Sequence, residues 1–459
     1  MTTAVIRRPS WEQCCSHWAR TLVSRCMEEE TGGEVTQPPR NRRPRARGAR
    51  RGMLAALAPA GSASRQAPPP VVLRGAPGCT TVDVPTVRST PMPVLHTPLC
   101  DLLGLRVPLL QSGMLRVAGP ALVAEVSRAG GLGILAGLSL PPDTLRAQIR
   151  EVRRLTDRPF GVNLWLHPLV RAPTPPAQLP AQEVQRVQGK LNAFRAELGL
   201  QPVQGPPPPA PPAYIDEDFE VLVEERVPVW SVGLGVPSAA QVERCHAAGI
   251  KVVGMAASVA DARTLEAAGV DVLVAQGSEA GGHRSTWTGG TPHERALVGT
   301  LALVPAMVDA VRVPVVAAGG ITDGRGLVAS LALGASGVLL GTRFVATRES
   351  EAPDLWKQAL LARGADDTVL TRMASGLWGR ALRNPLAEAF GADGIAGLSG
   401  YGQRGAIQDI VKEATARGDA EHFPLFGGQG VGLMHDVPGA GEVVERMVAE
   451  AQAVLARLR

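Results

Sequence analysis

The sequence lacks several features that would place it in common classes of protein. No apolar run approaches the roughly 20 residues needed to cross a bilayer, so no membrane partner is predicted. Cys100 and Cys245 are the only cysteines beyond residue 91, which excludes a disulfide framework there and favours a cytoplasmic location. No G-x-G-x-x-G follows an early strand, which argues against an open dinucleotide-binding sheet. No second His or Cys has ligand spacing to His283, so no metal site is predicted.

Positive charge is concentrated at one end of the chain. Residues 1–91 contain 14 Arg and 6 acidic residues, a net charge of +8. The whole chain has 47 Lys and Arg against 42 Asp and Glu, which leaves 33 basic and 36 acidic residues from residue 92 onward. A nearly neutral body gives no sign of a nucleic-acid surface, so no nucleic-acid partner is expected.

The first 91 residues lack the apolar periodicity of a folded segment. The stretch RNRRPRARGARR (40–51) places seven Arg in twelve residues, and a proline-rich stretch follows. Such a composition cannot bury enough apolar surface to offset the entropy of ordering the backbone. We therefore expect residues 1–91 to be a disordered extension, with Met92 as an alternative start. A signal peptide around ARRGMLAALAPAGSAS and a basic nucleic-acid tail are less favoured alternatives.

From residue 105 the pattern changes to short apolar runs that alternate with amphipathic stretches. This alternation is typical of βα units around a parallel sheet. Eight such runs predict an α/β fold of the (β/α)8 TIM barrel type rather than an open sheet. The predicted strands are 107–111, 133–136, 160–165, 228–233, 250–255, 270–275, 314–318 and 337–340.

Two segments depart from this rhythm. Residues 167–218 follow the third strand, contain a predicted helix near 181–199 and a proline run, and are predicted to form an inserted lid segment. Residues 351–459 are predicted to add C-terminal helices that complete the active-site end, and they contain the glycine-rich stretch FPLFGGQGVGL (423–433). The predicted organisation is therefore an extension (1–91), a barrel (92–350) and a C-terminal helical region (351–459).

Polar and glycine-rich stretches follow several predicted strands at the end where TIM barrels bind ligands. Gly319 and Gly320 follow the seventh strand, and Gly341 and Thr342 follow the eighth, the usual phosphate position of this fold. Tight βα turns are the alternative explanation of these glycines. A phosphate site without a Walker or Rossmann signature indicates a phosphorylated cofactor or a sugar phosphate.

The remaining strand ends favour a flavin mononucleotide, FMN. In QSGM (111–114), Gly113 would let the backbone approach a flat ring that Met114 could cover, and Gln276 could bind a ring edge. His283 follows two glycines after the sixth strand and is the predicted catalytic group, because an imidazole exchanges protons near neutral pH. Glu279 could orient this loop or cap the following turn.

Five stretches of the sequence together resemble the nitronate monooxygenase family, formerly grouped with 2-nitropropane dioxygenases. They cover about residues 95–455 in order: QSGM with AEVSRAGGLGIL, GVNLWL, AQGSEAGGHRST, VPVVAAGGITDGRGLVASLALGASGVLLGTRFVAT and FGGQGVGLMHDVP. The resemblance implies a barrel with non-covalent FMN that oxidises alkyl nitronates, such as propionate 3-nitronate, with O2 to a carbonyl compound and nitrite. His283 matches the catalytic histidine of the family. The implied FMN contacts are Gly113, Met114, Leu115, Trp165, Gln276, Gly277, Ala318, Gly319, Gly320, Gly341 and Thr342.

Two positions depart from the family pattern, and three other functions compete with this one. Ser112 replaces a frequent glycine, and Met255 cannot supply the basic side chain that some members direct towards the flavin. An enoyl-acyl-carrier-protein reductase-like enzyme using NAD(P)H would share the barrel and the FMN site. A phosphosugar isomerase or aldolase would need no flavin, and a flavin-binding protein without turnover would need no reactive His283. The expected partners are a small nitronate and O2, with a homodimer as an open option.

Overall fold

The computed structural model describes residues 95–458, so the predicted extension 1–91 and Met92 lie outside the described residues. The polypeptide between these bounds has no helix that is long and apolar enough to cross a membrane. Cys100 and Cys245 are both buried free thiols.

Eight parallel strands form a TIM barrel, as the sequence predicts. Neighbouring strands follow the order β1-β9-β8-β6-β5-β4-β3-β2, and a bridge between Leu110 and Leu132, next to β2, closes the ring. The Gln111 amide donates to the Leu132 carbonyl oxygen over 2.9 Å at this junction. The observed bounds differ from the predicted ones by at most two residues at either end. They are β1 Leu109–Gln111, β2 Gly133–Ala136, β3 Phe160–Trp165, β4 Val229–Gly233, β5 Lys251–Ala256, β6 Val272–Gln276, β8 Val315–Ala318 and β9 Gly337–Leu340.

Helices occupy the segments between the strands and most of the C-terminal region. Local signals fix several of their starts. Ser238 forms a capping box with Gln241, and the Ser258 hydroxyl accepts from the Asp261 amide. The helices are α1 Pro98–Leu103, α2 Pro120–Arg128, α3 Pro142–Leu155, α4 Pro168–Arg171, α5 Ala181–Glu197, α6 Ile215–Glu224, α7 Ala239–Ala247, α8 Val259–Ala267, α9 Thr300–Val308, α10 Gly324–Ala332, α11 Thr342–Val345, α12 Asp354–Leu361, α13 Pro385–Ala389, α14 Gln403–Ala406, α15 Gln408–Arg417 and α16 Ala440–Leu458.

Helix α1 closes the N-terminal end of the barrel. Leu99 and Leu103 belong to the same apolar cluster as the inward-facing strand residues, including Val274 and Val316. A Cβ added to Gly337, the first residue of β9, would lie only 2.6 Å from Leu99 Cδ2, so the helix packs directly on the strand start. A ligand can therefore enter only from the opposite end, where the strands finish.

The C-terminal region is not purely helical, which corrects the predicted description of residues 351–459. It contributes β10 Thr368–Thr371 and β11 Gly379–Leu382 to a small antiparallel sheet with the two-residue strand β7, Gly282–His283. His283 pairs with Gly379 in this sheet. The pairing joins residues that are distant in sequence, so the local pattern of these short strands does not reveal it.

The insertion after β3 packs against the C-terminal region in a second apolar core. Helix α5, predicted at 181–199, contributes Val187, Leu191 and Phe194, while the C-terminal region contributes residues such as Phe390 and Ile410. This core lies beside the C-terminal ends of the barrel strands, because Ile407 belongs to it and also lines the cavity there. The predicted role of the insertion as a lid stays a prediction.

Candidate functional site

A cavity of about 780 Å³ opens at the C-terminal ends of the barrel strands. This volume falls within the roughly 300–1,000 Å³ typical of ligand and cofactor sites. Eleven of the twelve residues predicted from the sequence line it. They are Gly113, Met114, Leu115, Trp165, Gln276, His283, Ala318, Gly319, Gly320, Gly341 and Thr342.

His283 is held in a defined orientation on the cavity wall. Its Nε2 lies 2.7 Å from Oγ of Ser375, a buried residue of the C-terminal region. Its ring packs edge-on against Trp165 at 4.8 Å between centroids and against Phe426 at 4.9 Å. Backbone pairing, one hydrogen bond and two aromatic contacts together limit the rotation of this imidazole.

The imidazole of His283 is neutral at physiological pH. Burial, followed by the positive charge of Arg404 and the nearby His167, lowers its pKa to about 3. A neutral imidazole has one N–H donor and one acceptor nitrogen, so it can either donate to an anion or accept a proton.

Gln276 lines the cavity and also holds the loop that carries His283. Its Nε2 donates to the His283 carbonyl oxygen over 2.9 Å, and its Oε1 accepts from the Ser285 amide over 2.7 Å. One N–H of the amide group is left, so the predicted contact with a ring edge stays a prediction. Gly277 does not line the cavity, and a Cβ there would lie 1.9 Å from Thr300 Oγ1, which shows that packing requires this glycine.

Arg284 fixes the same loop from behind. The guanidinium is buried and donates to the carbonyl oxygens of Gln276, Gly277 and Ala296 at 2.6–2.9 Å. Burial lowers the pKa of Arg284 to about 10. Arg284 and Ser285, which follow His283, are thus hydrogen-bonded to residues at the end of β6.

Glu279, left open by the sequence, caps helix α9. Its carboxylate accepts from the Thr300 amide and from the Thr300 hydroxyl, each at 2.9 Å. A carboxylate at a helix N-terminus is favoured by the helix dipole. Met255 lines the cavity, and its carbonyl oxygen accepts from the Ser285 hydroxyl at 2.7 Å.

Loop amides form one end of the cavity. Gly319 and Gly320 have φ values of +111° and +72°, a conformation that glycine adopts without strain. Among residues 95–458, no group accepts a hydrogen bond from the amides of Gly319, Gly320 or Ile321. These three amides line the wall and are available to a ligand.

The helix that follows this loop has its first amides occupied by protein groups. Asp323 caps α10 by accepting from the Arg325 amide at 2.9 Å and the Gly326 amide at 3.3 Å. Glu450 accepts from the Gly324 amide at 2.8 Å. The first amides of α10 are therefore already bonded, and only the preceding loop offers free donors.

The glycine-rich loop 427–432 completes this end of the cavity. Gly428 and Gly430 line the wall, and the Gly428 amide donates to Thr342 Oγ1 at 3.0 Å. A Cβ added to Gly281 would lie 2.4 Å from the Gly428 nitrogen, so the His283 loop and this loop touch through glycine. The sequence signal was the high glycine content of a stretch too polar for the core.

Another part of the wall is built from the ends of the first three strands. Met114, Leu115 and Trp165 line it. A Cβ added to Gly113 would lie 2.4 Å from Cβ of Asn163 on β3. Packing against β3 therefore requires glycine at this position, with or without a ligand.

Three further residues of the cavity wall are not predicted from the sequence: Ser375, Arg404 and Phe426. Ser375 and Arg404 belong to no motif, and only folding brings them to His283. Phe426 lies in the recognised glycine-rich stretch, but nothing in that stretch indicates an aromatic contact with an imidazole. Within the described residues, no group of three or more His, Cys, Asp or Glu side chains is arranged to hold a metal ion.

Comparison with known proteins adds an independent observation. A sequence model of the nitronate monooxygenase family matches residues 96–450. The nitronate monooxygenase of Pseudomonas aeruginosa is 40% identical over 355 residues, which cover 76% of this chain and 97% of that protein.

Solved structures give the same picture. The nitroalkane oxidase from Streptomyces ansochromogenes is 35% identical, with a TM-score of 0.69, and the match covers 79% of this chain and 99% of that one. FabK from Thermotoga maritima is 31% identical, with a TM-score of 0.61 and 79% and 98% coverage.

Proposed function

Since the chain belongs to the nitronate monooxygenase family, we propose that it is an FMN-dependent enzyme that oxidises alkyl nitronates with O2 to a carbonyl compound and nitrite. Propionate 3-nitronate is the representative substrate. The observation that supports this proposal best is a neutral, oriented His283 in a cavity whose wall also includes residues with unbonded backbone amides. The first group suits an anionic substrate, and the second suits a phosphate.

The donor set of the cavity fits the phosphate of FMN. Unbonded amides at Gly319, Gly320 and Ile321 and the hydroxyl of Thr342 are the groups that bind phosphate in TIM barrels. The Thr342 hydroxyl accepts from Gly428, so its own proton is free to donate. Gly341 leaves space in which a phosphate can approach the backbone. A Cβ at this position would have only Met114 Sδ, at 3.5 Å, and Ser112 within 4 Å.

Another part of the cavity wall fits the ring system. Met114, Leu115 and Trp165 provide the apolar surface that a flat aromatic ring buries. When bound, FMN would supply the electron acceptor for the nitronate. The rest of the chemistry that the chain provides concerns the placement and protonation of the substrate.

His283 would act directly on the substrate. An imidazole N–H can donate a hydrogen bond to a nitronate oxygen and so stabilise its negative charge. The Ser375 hydroxyl and the Trp165 and Phe426 rings would keep the imidazole in place during this contact. Because its pKa is lowered to about 3, His283 is a weak base, which favours a preformed nitronate over a neutral nitroalkane.

The test is reconstitution of the full chain with FMN, followed by aerobic incubation with propionate 3-nitronate. We expect visible flavin absorption that co-purifies with the protein, together with O2 uptake and nitrite release. A His283→Gln variant should keep the flavin and lose most of the nitrite release. His435→Gln, the same change at an exposed residue outside the cavity wall, should behave as the wild type.

Three results would favour the competing functions. NADH consumption with a crotonyl thioester, without nitrite release, would indicate an enoyl-acyl-carrier-protein reductase-like enzyme. A colourless protein after incubation with FMN would indicate a barrel enzyme that needs no flavin. A yellow protein with no turnover of any nitronate would indicate a flavin-binding protein.

A further inference from the structure

Arg404 is a cation on the cavity wall without a carboxylate partner. It is the second residue of α14 and is half-buried. Within the part of the chain that the structure describes, no Asp or Glu oxygen lies within 4 Å of its guanidinium, and its one hydrogen bond to protein joins Nη1 to the Tyr401 hydroxyl at 2.8 Å. The remaining N–H groups of its planar fork are therefore free.

The packing of α14 places Arg404 on the wall of the cavity that His283 also lines. The preceding residue, Gln403, is fully buried and donates from Nε2 to the Met373 carbonyl oxygen at 3.0 Å. Met373 is two residues from Ser375, whose hydroxyl contacts His283. A Cβ added to Gly376 would lie 2.4 Å from the Leu398 carbonyl oxygen, so the loop that bears Ser375 packs tightly against the segment that leads into α14.

Electrostatics indicates the sign of the ligand. After burial, the charge of Arg404 is the next largest cause of the lowered pKa of His283, and both residues line the cavity. The carboxylates of Glu279 and Glu351 also line the cavity, but Glu279 is engaged by Thr300 and neither forms an ion pair with Arg404. An unpaired, partly desolvated guanidinium favours an anion.

We propose that Arg404 binds the planar, two-oxygen anionic group of the substrate. This group is either the nitronate itself or a carboxylate elsewhere in the same molecule, since both have the geometry that a guanidinium fork binds. The inference deepens the proposed function and rests on it. Arg404 would hold the substrate by its charge while His283 contacts the reacting group.

The first experiment measures KM and kcat for two nitronates in the FMN-loaded full chain. Ethyl nitronate has only the nitronate charge, whereas propionate 3-nitronate also has a carboxylate. The variants are Arg404→Gln, the conservative Arg404→Lys, and Arg263→Gln as the matched control. Arg263 is exposed on α8, makes no ion pair among residues 95–458 and does not line the cavity.

For Arg404→Gln we expect KM to rise roughly ten- to a hundredfold with a smaller change in kcat, because one charge-assisted contact is lost. A rise with propionate 3-nitronate alone would assign Arg404 to the carboxylate, and a rise with both substrates would assign it to the nitronate. Arg404→Lys should recover part of the loss. An unchanged KM for both substrates, or a rise equally large in Arg263→Gln, would overturn the proposal.

The second experiment measures binding without turnover. Succinate has a planar two-oxygen anion at each end and resembles propionate 3-nitronate in length, whereas butyrate has one such anion. By calorimetry, succinate should bind the wild type more tightly than butyrate does, and Arg404→Gln should weaken succinate binding at least tenfold. Equal succinate affinity in both proteins would contradict the role of Arg404. This readout stays valid if no nitronate is oxidised, so failure of the proposed function is distinguishable.

Discussion

The imidazole of His283 shows how position, rather than residue type, determines chemistry at the scale of single residues. In water a histidine titrates near pH 6.5. Here burial lowers its pKa to about 3, because the cavity wall and two aromatic rings exclude the water that would solvate its charge. The side chain is therefore neutral across the physiological range.

This state is measurable by NMR with histidines labelled at Cε1. We expect the His283 resonance, assigned by its absence in His283→Gln, to keep its chemical shift as the pH falls from about 8 to about 5. An inflection between about pH 6 and 7 for this resonance would show that the imidazole is solvated. It would also remove the argument that preformed nitronates are preferred substrates.

Asp218 is a second residue whose charge is set by burial. It lies on α6, is fully buried, and neither carboxylate oxygen has a hydrogen-bond partner among the described residues. Burial, together with the negative charge of Glu217, raises its pKa to about 8. The folded chain keeps a proton that the unfolded chain releases above about pH 4, so the free energy of unfolding should fall as the pH rises towards 8.

Replacing Asp218 by Asn removes this charge with little change in shape. We expect Asp218→Asn to be more stable than the wild type by about 2 kcal/mol at pH 8, and the difference to shrink towards pH 4. Denaturant unfolding at several pH values measures it. Asp309→Asn, the same change at an exposed position, should give no such slope. A pH-independent difference for Asp218→Asn would show that the folded and unfolded chains release the Asp218 proton at the same pH, which would contradict the raised pKa.

At the scale of single residues, the sequence predicts part of the site and misses the rest. Eleven of the predicted residues line the cavity because each follows a barrel strand, and strand ends are readable from local apolar runs. Ser375 lies 92 residues from His283, and no local pattern relates the two. Gly277 shows the converse limit, since a glycine beside a site can serve packing alone.

At the scale of elements, the accuracy of prediction follows the length and hydrophobicity of each element. The eight barrel strands are buried on both sides and read as apolar runs, so their predicted bounds nearly match. Strands β7, β10 and β11 have two to four residues each and pair across distant segments. Their stability comes from tertiary contacts, which local propensity does not report.

Arg195 joins helix α5 of the insertion to helices α14 and α15 of the C-terminal region. It projects from α5 with 2% exposure, bonds Asp409 of α15 at 2.7 Å, and donates to the Ala406 carbonyl oxygen of α14 at 2.7 Å. Gln188 and Asn192 of α5 accept from its Nη1. We expect Arg195→Met to lower the free energy of unfolding by about 2 kcal/mol, because buried acceptors lose their donor and Asp409 loses its partner.

Thermal or denaturant unfolding of the FMN-loaded chain measures this loss. Arg186→Met is the matched control, because Arg186 lies on the same helix with an exposed side chain. Equal stability of the two variants would show that the apolar core between α5 and the C-terminal region holds the insertion without the ion pair.

At the scale of the whole molecule, the fold is complete within the described residues. Helix α1 closes the N-terminal end of the barrel, the bridge from β1 to Leu132 closes the ring, and α16 packs on α2 and α10. The family match also begins at residue 96. The arginine-rich segment 1–91 contributes a net charge of +8 to the chain but matches none of this family region.

We therefore expect a protein of residues 92–459 to bind FMN and to release nitrite from a nitronate within about twofold of the full chain. It should also bind a heparin column less tightly, because the clustered Arg side chains are removed. Removal of residues 440–459 instead should abolish flavin binding, since Val443, Val444 and Met447 of α16 are buried. A colourless 92–459 protein would show that the extension contributes to folding.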